Sequence, residues 1–204
     1  MNTRLQVEHP VTEMVTGIDI VSEQINIAQG KKLSINQDDI QTVGHSIEVR
    51  VYAEDPDNDF LPSTGKLIAD DHINKDDIRW DTGVEEGIDI GTDFDPLLAK
   101  VISYASTRGK AIEKLFRELQ SVHFGGFTNN IEFLINILKD KNFITGKTTT
   151  DFIELNQPKG NITLDESERL YIGITATLWL QGLNRYSATV LKHIPSGWHN
   201  ARLP

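Results

Sequence analysis

Met1-Asn2-Thr3-Arg4-Leu5-Gln6-Val7-Glu8-His9-Pro10-Val11-Thr12-Glu13 opens the chain. Side chains alternate along a strand with period two. A strand here sets Asn2, Arg4, Gln6 and Glu8 on one face and Thr3, Leu5 and Val7 on the other. A cation, an amide and a carboxylate on one side suit a small oxyanion held beside a base; the alternative is an ordinary solvated strand face. Full extension separates Arg4 from Glu8 by roughly 13 Å. Joint work on one small ion therefore requires the strand to bend or the Arg4 side chain to reach along it. Pro10 and Thr12 then open a short helical turn ending at Gly17, with Glu13 toward the positive end of its dipole.

A second stretch, Gly44-His45-Ser46-Ile47-Glu48-Val49-Arg50-Val51-Tyr52-Ala53-Glu54-Asp55-Pro56, alternates in the same way. Ile47, Val49, Val51 and Ala53 form an apolar face, and Ser46, Glu48, Arg50 and Tyr52 a polar one. Taken alone, Glu48 and Arg50 could be a surface ion pair worth little.

The run from Asn2 to Glu13 closely resembles the bicarbonate-site segment of biotin carboxylases, the ATP-grasp components of biotin-dependent acyl-CoA carboxylases such as acetyl-, propionyl- or methylcrotonyl-CoA carboxylase. The Gly44 to Pro56 stretch resembles the segment that opens that family's carboxy-terminal domain. Phe60-Leu61-Pro62-Ser63-Thr64-Gly65-Lys66 is similar too, with Thr64 where the family usually has Pro.

The resemblance implies a chemistry. ATP and bicarbonate give carboxyphosphate, which releases carbon dioxide, and biotin on a carrier domain captures it. Glu8 is then the base that deprotonates bicarbonate, within about 3 Å of its proton. Arg4, Gln6 and the Val7 backbone, with Glu8, bind the anion, a guanidinium offering a planar donor fork. Arg50 stabilises the enolate form of biotin as a fixed cation, with Glu48 and Glu54 orienting it. Asp95 either supports Arg50 as well or caps its own turn beside Pro96. Asn2 matches a position beside the Mg²⁺ (or Mn²⁺) of ATP, although a lone Asn cannot hold that ion. Arg79 and Trp80 match positions near a homodimer contact, so a homo-oligomer is implied.

In that family the opening strand comes late in the ATP-grasp domain. The chain is therefore read as a carboxy-terminal fragment that lacks the nucleotide-gripping parts and is inactive alone. Neither Met1 nor Met14 is followed by Lys, so the biotin carrier lies elsewhere, and a carboxyltransferase subunit is the further partner.

The rest of the chain supplies the scaffold. Asp19 caps a helix in which Val21, Ile25 and Ala28 pack a core, closed by Gly30. Lys31 to Thr42 is a connector with one turn around Gln37 to Ile40. Short strands are predicted at Lys66 to Ala69 and Ile78 to Asp81, with acidic, turn-rich Asp70 to Asp77 between them. Two longer strands, Val84 to Ile90 and Leu97 to Tyr104, follow. Thr107 caps a helix striped by Ala111, Leu115 and Leu119, and Thr128 one striped by Ile131, Leu134, Ile135 and Leu138. Phe124 to Asn130 contains glycines without phosphate-loop spacing and reads as a helix-helix turn.

The fold class is α+β. Residues 1–43 end an ATP-grasp domain, and 44–155 form the carboxy-terminal domain, an antiparallel sheet with helices on one side. Residues 156–204 are a linker and helical tail. In that tail Asp165 and Glu168 make a capping box for an apolar helix, Glu166 to Leu183, that needs more protein than this chain to cover it. Leu191 to Asn200 resembles the start of the inter-subunit region of fused carboxylase subunits.

Composition limits the alternatives. Twenty Lys and Arg against thirty Asp and Glu give a net charge of -10, which disfavours nucleic acid and anionic membrane. The chain has no Cys, which excludes disulfides and thiolate metal sites. The amino terminus is too polar for a signal peptide, and no run is long enough to span a bilayer, so a cytoplasmic location is expected. Two rival readings stand beside the enzyme fragment: a non-catalytic dimerisation or docking module, and another ATP-grasp ligase. Gln6-Val7-Glu8-His9-Pro10 together with the Arg50 segment weighs against the latter.

Overall fold

The computed structural model describes residues 2–68, 78–160 and 164–187, in two compact units that divide between Gly160 and Leu164. The first is built on a three-stranded antiparallel sheet in the order β1 (His45–Tyr52), β7 (Leu97–Ala105), β5 (Ile78–Thr82). The shorter strands are β2 (Glu54–Asp55), β3 (Leu61–Pro62), β4 (Gly65–Lys66) and β6 (Asp89–Ile90); β2 pairs with β3 and β4 with β6.

Register explains what the sheet does. Ile47, Ser103 and Ile78 are paired across it, as are Val49, Val101 and Trp80. These rows carry one face, which is apolar. The intervening rows, Glu48–Ile102–Arg79 and Arg50–Lys100–Asp81, carry the other. Against the apolar face lie α3 (Arg108–Ser121) and α4 (Ile131–Lys139), with Val51, Val101, Leu115 and Leu119 almost fully buried in one core. Truncating such a residue, Leu115 to Ala for example, costs about 2–5 kcal/mol. Ser103 is tolerated there because its Oγ donates to the Ala111 carbonyl at 2.9 Å. Trp80 donates through Nε1 to Glu118 at 3.0 Å, pairing two polar groups beneath α3.

Several predicted features are present. Asp19 accepts from Ser22 N–H at 2.7 Å and caps α2 (Ile20–Ala28), and Thr107 accepts from Lys110 N–H to cap α3. The turn near Gln37 is a short 3₁₀ helix. Gly17 ends α1 (His9–Thr16) in the left-handed conformation.

Other expectations fail for identifiable reasons. Residues 2–8 form no strand: no ladder partner lies beside them among the described residues, and Pro10 in the first helical turn draws the chain into α1. Glu13 is not in that first turn; its Oε1 accepts from Ile20 N–H at 2.9 Å and so links α1 to α2. The α2 face is not core, since Ile25 and Ile27 are about half exposed. Val84 to Ile90 is a strand only at Asp89–Ile90, because Glu85-Glu86-Gly87 turns, with Gly87 at φ 87°. The Lys66 to Ala69 strand is reduced to Gly65–Lys66, its last residue lying outside the described residues, as does Asp70 to Asp77.

Thr128 does not cap α4. Asn130 occupies that position, while Thr128 N–H donates to Ser63 Oγ. Gly126, just before it, serves packing: a Cβ there would collide with the Lys66 carbonyl, and its φ is 100°. Beyond α4, α5 (Lys141–Ile144) and α6 (Phe152–Asn156) finish the first unit.

In the second unit, α7 (Glu166–Ser187) begins with the predicted capping box: Asp165 Oδ1 accepts from Glu168 N–H and Glu168 Oε2 from Asp165 N–H, both at 2.8 Å. Its side chains are exposed along its whole length, Trp179 and Leu178 included. Leu191 to Asn200 lies outside the described residues.

Candidate functional site

The bend that the opening segment requires is present. A turn at Val7 and Glu8 leads into α1, with His9 Nδ1 2.7 Å from the Gln6 carbonyl oxygen. Arg4, Gln6 and Glu8 thereby line one hollow of about 180 Å³, closed by His9, Thr12 and Gln24. Arg4 donates to the Leu5 carbonyl at 3.2 Å. The strand reading gave the right side chains a common outlook but the wrong backbone. Asn2 is exposed at the start of the segment. No group of three or more His, Asp or Glu that could hold a metal ion occurs among the described residues, so the side chains present do not make a Mg²⁺ site around Asn2.

The two residues expected to carry the chemistry meet. Arg50 Nη2 lies 2.8 Å from Glu8 Oε2, although the residues are 42 positions apart in sequence. The pair is open to solvent, with side chains 38% and 52% exposed, so its contribution to stability is at most about 1 kcal/mol. Glu48 is its opposite in environment: 4% exposed, 4.0 Å from Arg50 Nε, with neither carboxylate oxygen hydrogen-bonded. Burial pushes its carboxyl above the usual range, against the opposing charges of Lys100 and Arg50.

Glu54 shares with Glu48 and Arg50 the wall of a larger, mostly apolar cavity of about 520 Å³ between β1 and α4 to α6. Burial first, and Asp95 second, raise the Glu54 carboxyl. Asp95 takes the second of its two readings: its Oδ1 accepts from Leu97 N–H at 2.9 Å, the capping of its own turn.

Asn130 fixes the backbone beneath Arg50. Its Oδ1 accepts from Tyr52 N–H at 2.9 Å and its Nδ2 donates to the Arg50 carbonyl at 3.1 Å, replacing a neighbouring strand on the edge of β1. Asn130→Leu is expected to destabilise the chain by about 2 kcal/mol, because two backbone groups lose their partners. The urea midpoint of unfolding checks this, and an unchanged midpoint would refute the tether.

Sequence reasoning missed the cations that hold the opening segment down. Lys100 Nζ lies 2.9 Å from Asp81 Oδ2 and donates to the Val7 carbonyl at 3.3 Å. Arg79 forks onto both oxygens of Asp81, at 2.9 and 3.1 Å, and reaches Glu13 Oε2 at 2.8 Å. Burial alone would raise the Asp81 carboxyl, but hydrogen bonds from Arg79 and Lys100 outweigh it and hold it below the usual range. The Arg79 guanidinium is driven upward, chiefly by Asp81. A signal was available: Lys100 is the single charge in the apolar run Leu97 to Ala105, a place where a cation needs a partner.

Residues 48–155, more than half of the chain, match the family model described as the biotin carboxylase C-terminal domain. The chain belongs to the biotin carboxylase family. Residues 1–36 match the ATP-binding domain of the carbamoyl-phosphate synthase L chain. Among relatives, the mitochondrial methylcrotonoyl-CoA carboxylase subunit alpha of Rattus norvegicus is 44% identical over 157 residues, covering 75% of this chain and 22% of that protein. The propionyl-CoA carboxylase alpha chain of Ruegeria pomeroyi is 40% identical over 190 residues, covering 82% and 28%. The chain thus spans about a quarter of the length of these biotin carboxylase relatives.

Among solved structures, the biotin carboxylase domain of a thermophilic 2-oxoglutarate carboxylase bound to bicarbonate aligns with TM-score 0.77 and 41% identity, over 79% of this chain and 37% of that one. The biotin carboxylase subunit of pyruvate carboxylase aligns with TM-score 0.77 and 40% identity, over 80% and 36%. No helix among the described residues is long and apolar enough to cross a membrane.

Proposed function

We propose that this chain supplies the bicarbonate base and the biotin-facing cation of a biotin carboxylase, the ATP-dependent carboxylation of carrier-borne biotin. Glu8 is the base. Arg4, Gln6 and the Val7 backbone bind bicarbonate, and Arg50, oriented by Glu48, faces biotin. The observation that carries this reading is the 2.8 Å contact between Glu8 and Arg50, which joins the two family-like segments at one point.

The half-exposed Arg50 guanidinium beside an open cavity suits a ureido oxygen, whose growing negative charge it would balance. Biotin supplies the nitrogen that accepts the carboxyl group. The Glu8 carboxylate, held in contact with Arg50, is placed to take the bicarbonate proton. Residues 1–43, 44–155 and 156–204 act as the end of an ATP-grasp domain, the carboxy-terminal domain and a tail. Without a nucleotide-gripping part the chain does not turn over by itself; it works with ATP and Mg²⁺ bound elsewhere, a carrier domain, a carboxyltransferase subunit and a second copy of the enzyme.

The test is ADP release that depends on both bicarbonate and biotin, measured for this chain and for a full-length protein in which it completes an ATP-grasp domain. Turnover by the full-length protein alone is the expected result. Turnover by the short chain overturns its inactivity, and a full-length protein silent toward biotin overturns the function. The exposed apolar length of α7 favours a second reading, a docking module, for which stable association with a carboxyltransferase subunit without turnover is the signature.

A further inference from the structure

Among the described residues no strand ladder holds the opening segment, yet Glu8 lies within hydrogen-bond distance of Arg50. The Arg50–Glu8 pair alone does little to place it, since its side chains are 38% and 52% exposed and exposed pairs order little. The better-buried contact is one residue away. Lys100 is only 13% exposed, and its ammonium is fixed from behind by Asp81 and faces the Val7 carbonyl. A charged donor so little exposed is screened less than a solvated pair is.

The Val7 carbonyl belongs to the same planar unit as the Glu8 N–H. Fixing its direction fixes the plane from which the Glu8 Cα departs, and a trans peptide turns the Glu8 N–H away from Lys100. The other end of α1's leading half is held from the same carboxylate: Arg79 donates both to Asp81 and to Glu13. One partly buried side chain, Asp81, therefore anchors residues 7 and 13 together, through two cations on adjacent strands.

We infer that Lys100 is a positioning residue of the bicarbonate site: held by Asp81, it sets the Val7–Glu8 turn and so brings the Glu8 carboxylate to Arg50. This rests on the reading of Glu8 as the base. Lys100 lines neither the hollow beside Glu8 nor the cavity beside Arg50. Its neighbour across the sheet, Arg50, occupies the same register row and the same face, so the cation that holds the turn and the cation that meets Glu8 share one rigid strand pair. Small errors in such placement are expensive; a shift of about 1 Å can cost on the order of a hundredfold in rate.

The experiment has two arms. In the isolated chain, amide and arginine side-chain NMR compares wild type with Lys100→Met, which keeps the apolar stem, and with Lys100→Arg. The inference expects the Glu8 amide and the Arg50 guanidinium resonances to move in Lys100→Met and to return toward wild type in Lys100→Arg. In the full-length protein, Lys100→Met is expected to lower bicarbonate-dependent ADP release by about a hundredfold with KM for ATP unchanged. Unmoved Glu8 and Arg50 resonances in a folded Lys100→Met chain overturn the inference. So does a variant that loses ATP and bicarbonate dependence in step with its melting temperature, because that is a merely structural role. A silent wild-type full-length protein counts against the proposed function, and the NMR arm then decides the inference by itself.

Discussion

Replacing Glu8 by Gln is expected to lower bicarbonate-dependent ADP release in the full-length protein by about 10²–10⁴-fold while the isolated chain keeps its fold. The amide has the shape of the carboxylate and can still accept a hydrogen bond from Arg50 through its oxygen. What it lacks is basicity, so the substitution separates a proton acceptor from a tether. The stability change should stay below about 1 kcal/mol, since the pair is half exposed. A rate within about tenfold of wild type would leave no role for general-base catalysis at this position. A large fall in melting temperature would show instead that Glu8 is structural. Glu8→Asp is the complementary variant: it keeps the charge but withdraws it by one methylene, and an intermediate loss is expected from displacement alone.

How much of this was legible beforehand depends on where each signal resides. The β1 alternation is a local property, and Ile47, Val49 and Val51 are buried as their spacing demands. Caps are local too, which is why Asp19, Thr107 and the Asp165–Glu168 box could be read from a few residues each. The opening segment failed as a strand because a strand is a pairing, and pairing depends on a neighbour that a single run of residues does not reveal. Pro10 was the local clue to the turn.

Asn130 was invisible for a similar reason: Thr128 is an acceptable cap by propensity, whereas the actual cap position was decided by Asn130 reaching across to β1. The resemblance named Arg4, Gln6, Glu8 and Arg50, with Glu48 and Glu54 as partners of Arg50, but it said nothing of what fastens the opening segment. Lys100, Asp81 and Arg79 come from two further strands, and only the register of β1, β7 and β5 puts them on one face. A family pattern marks residues that touch a substrate more readily than those that fasten a loop from beneath.

Arg50→Gln carries the second large expectation, a loss of about 10²–10³-fold in biotin carboxylation. A neutral amide offers no fixed positive charge where charge develops, and Arg50→Lys should recover only part, since an ammonium lacks the planar fork. The substitution also alters the resting site, because Arg50 lies between an exposed carboxylate and a buried one. Burial already raises the Glu48 carboxyl, against Lys100 and Arg50, with Asp81 and Glu8 pushing the same way as burial. Removing Arg50 must raise it further. An acid whose folded pKa lies above its unfolded value is destabilising when ionised, a penalty present at high pH and relieved as pH falls through the folded pKa. Arg50→Gln should therefore be less stable than wild type at neutral pH, with the deficit narrowing in mild acid, as urea midpoints across that range would reveal. The double variant Glu8→Gln with Arg50→Gln decides whether the two act as one unit. Groups in contact are non-additive, so its rate should be close to that of the slower single variant. If the two losses simply multiply, the 2.8 Å contact does not couple base and cation, and the site is two independent devices that happen to touch.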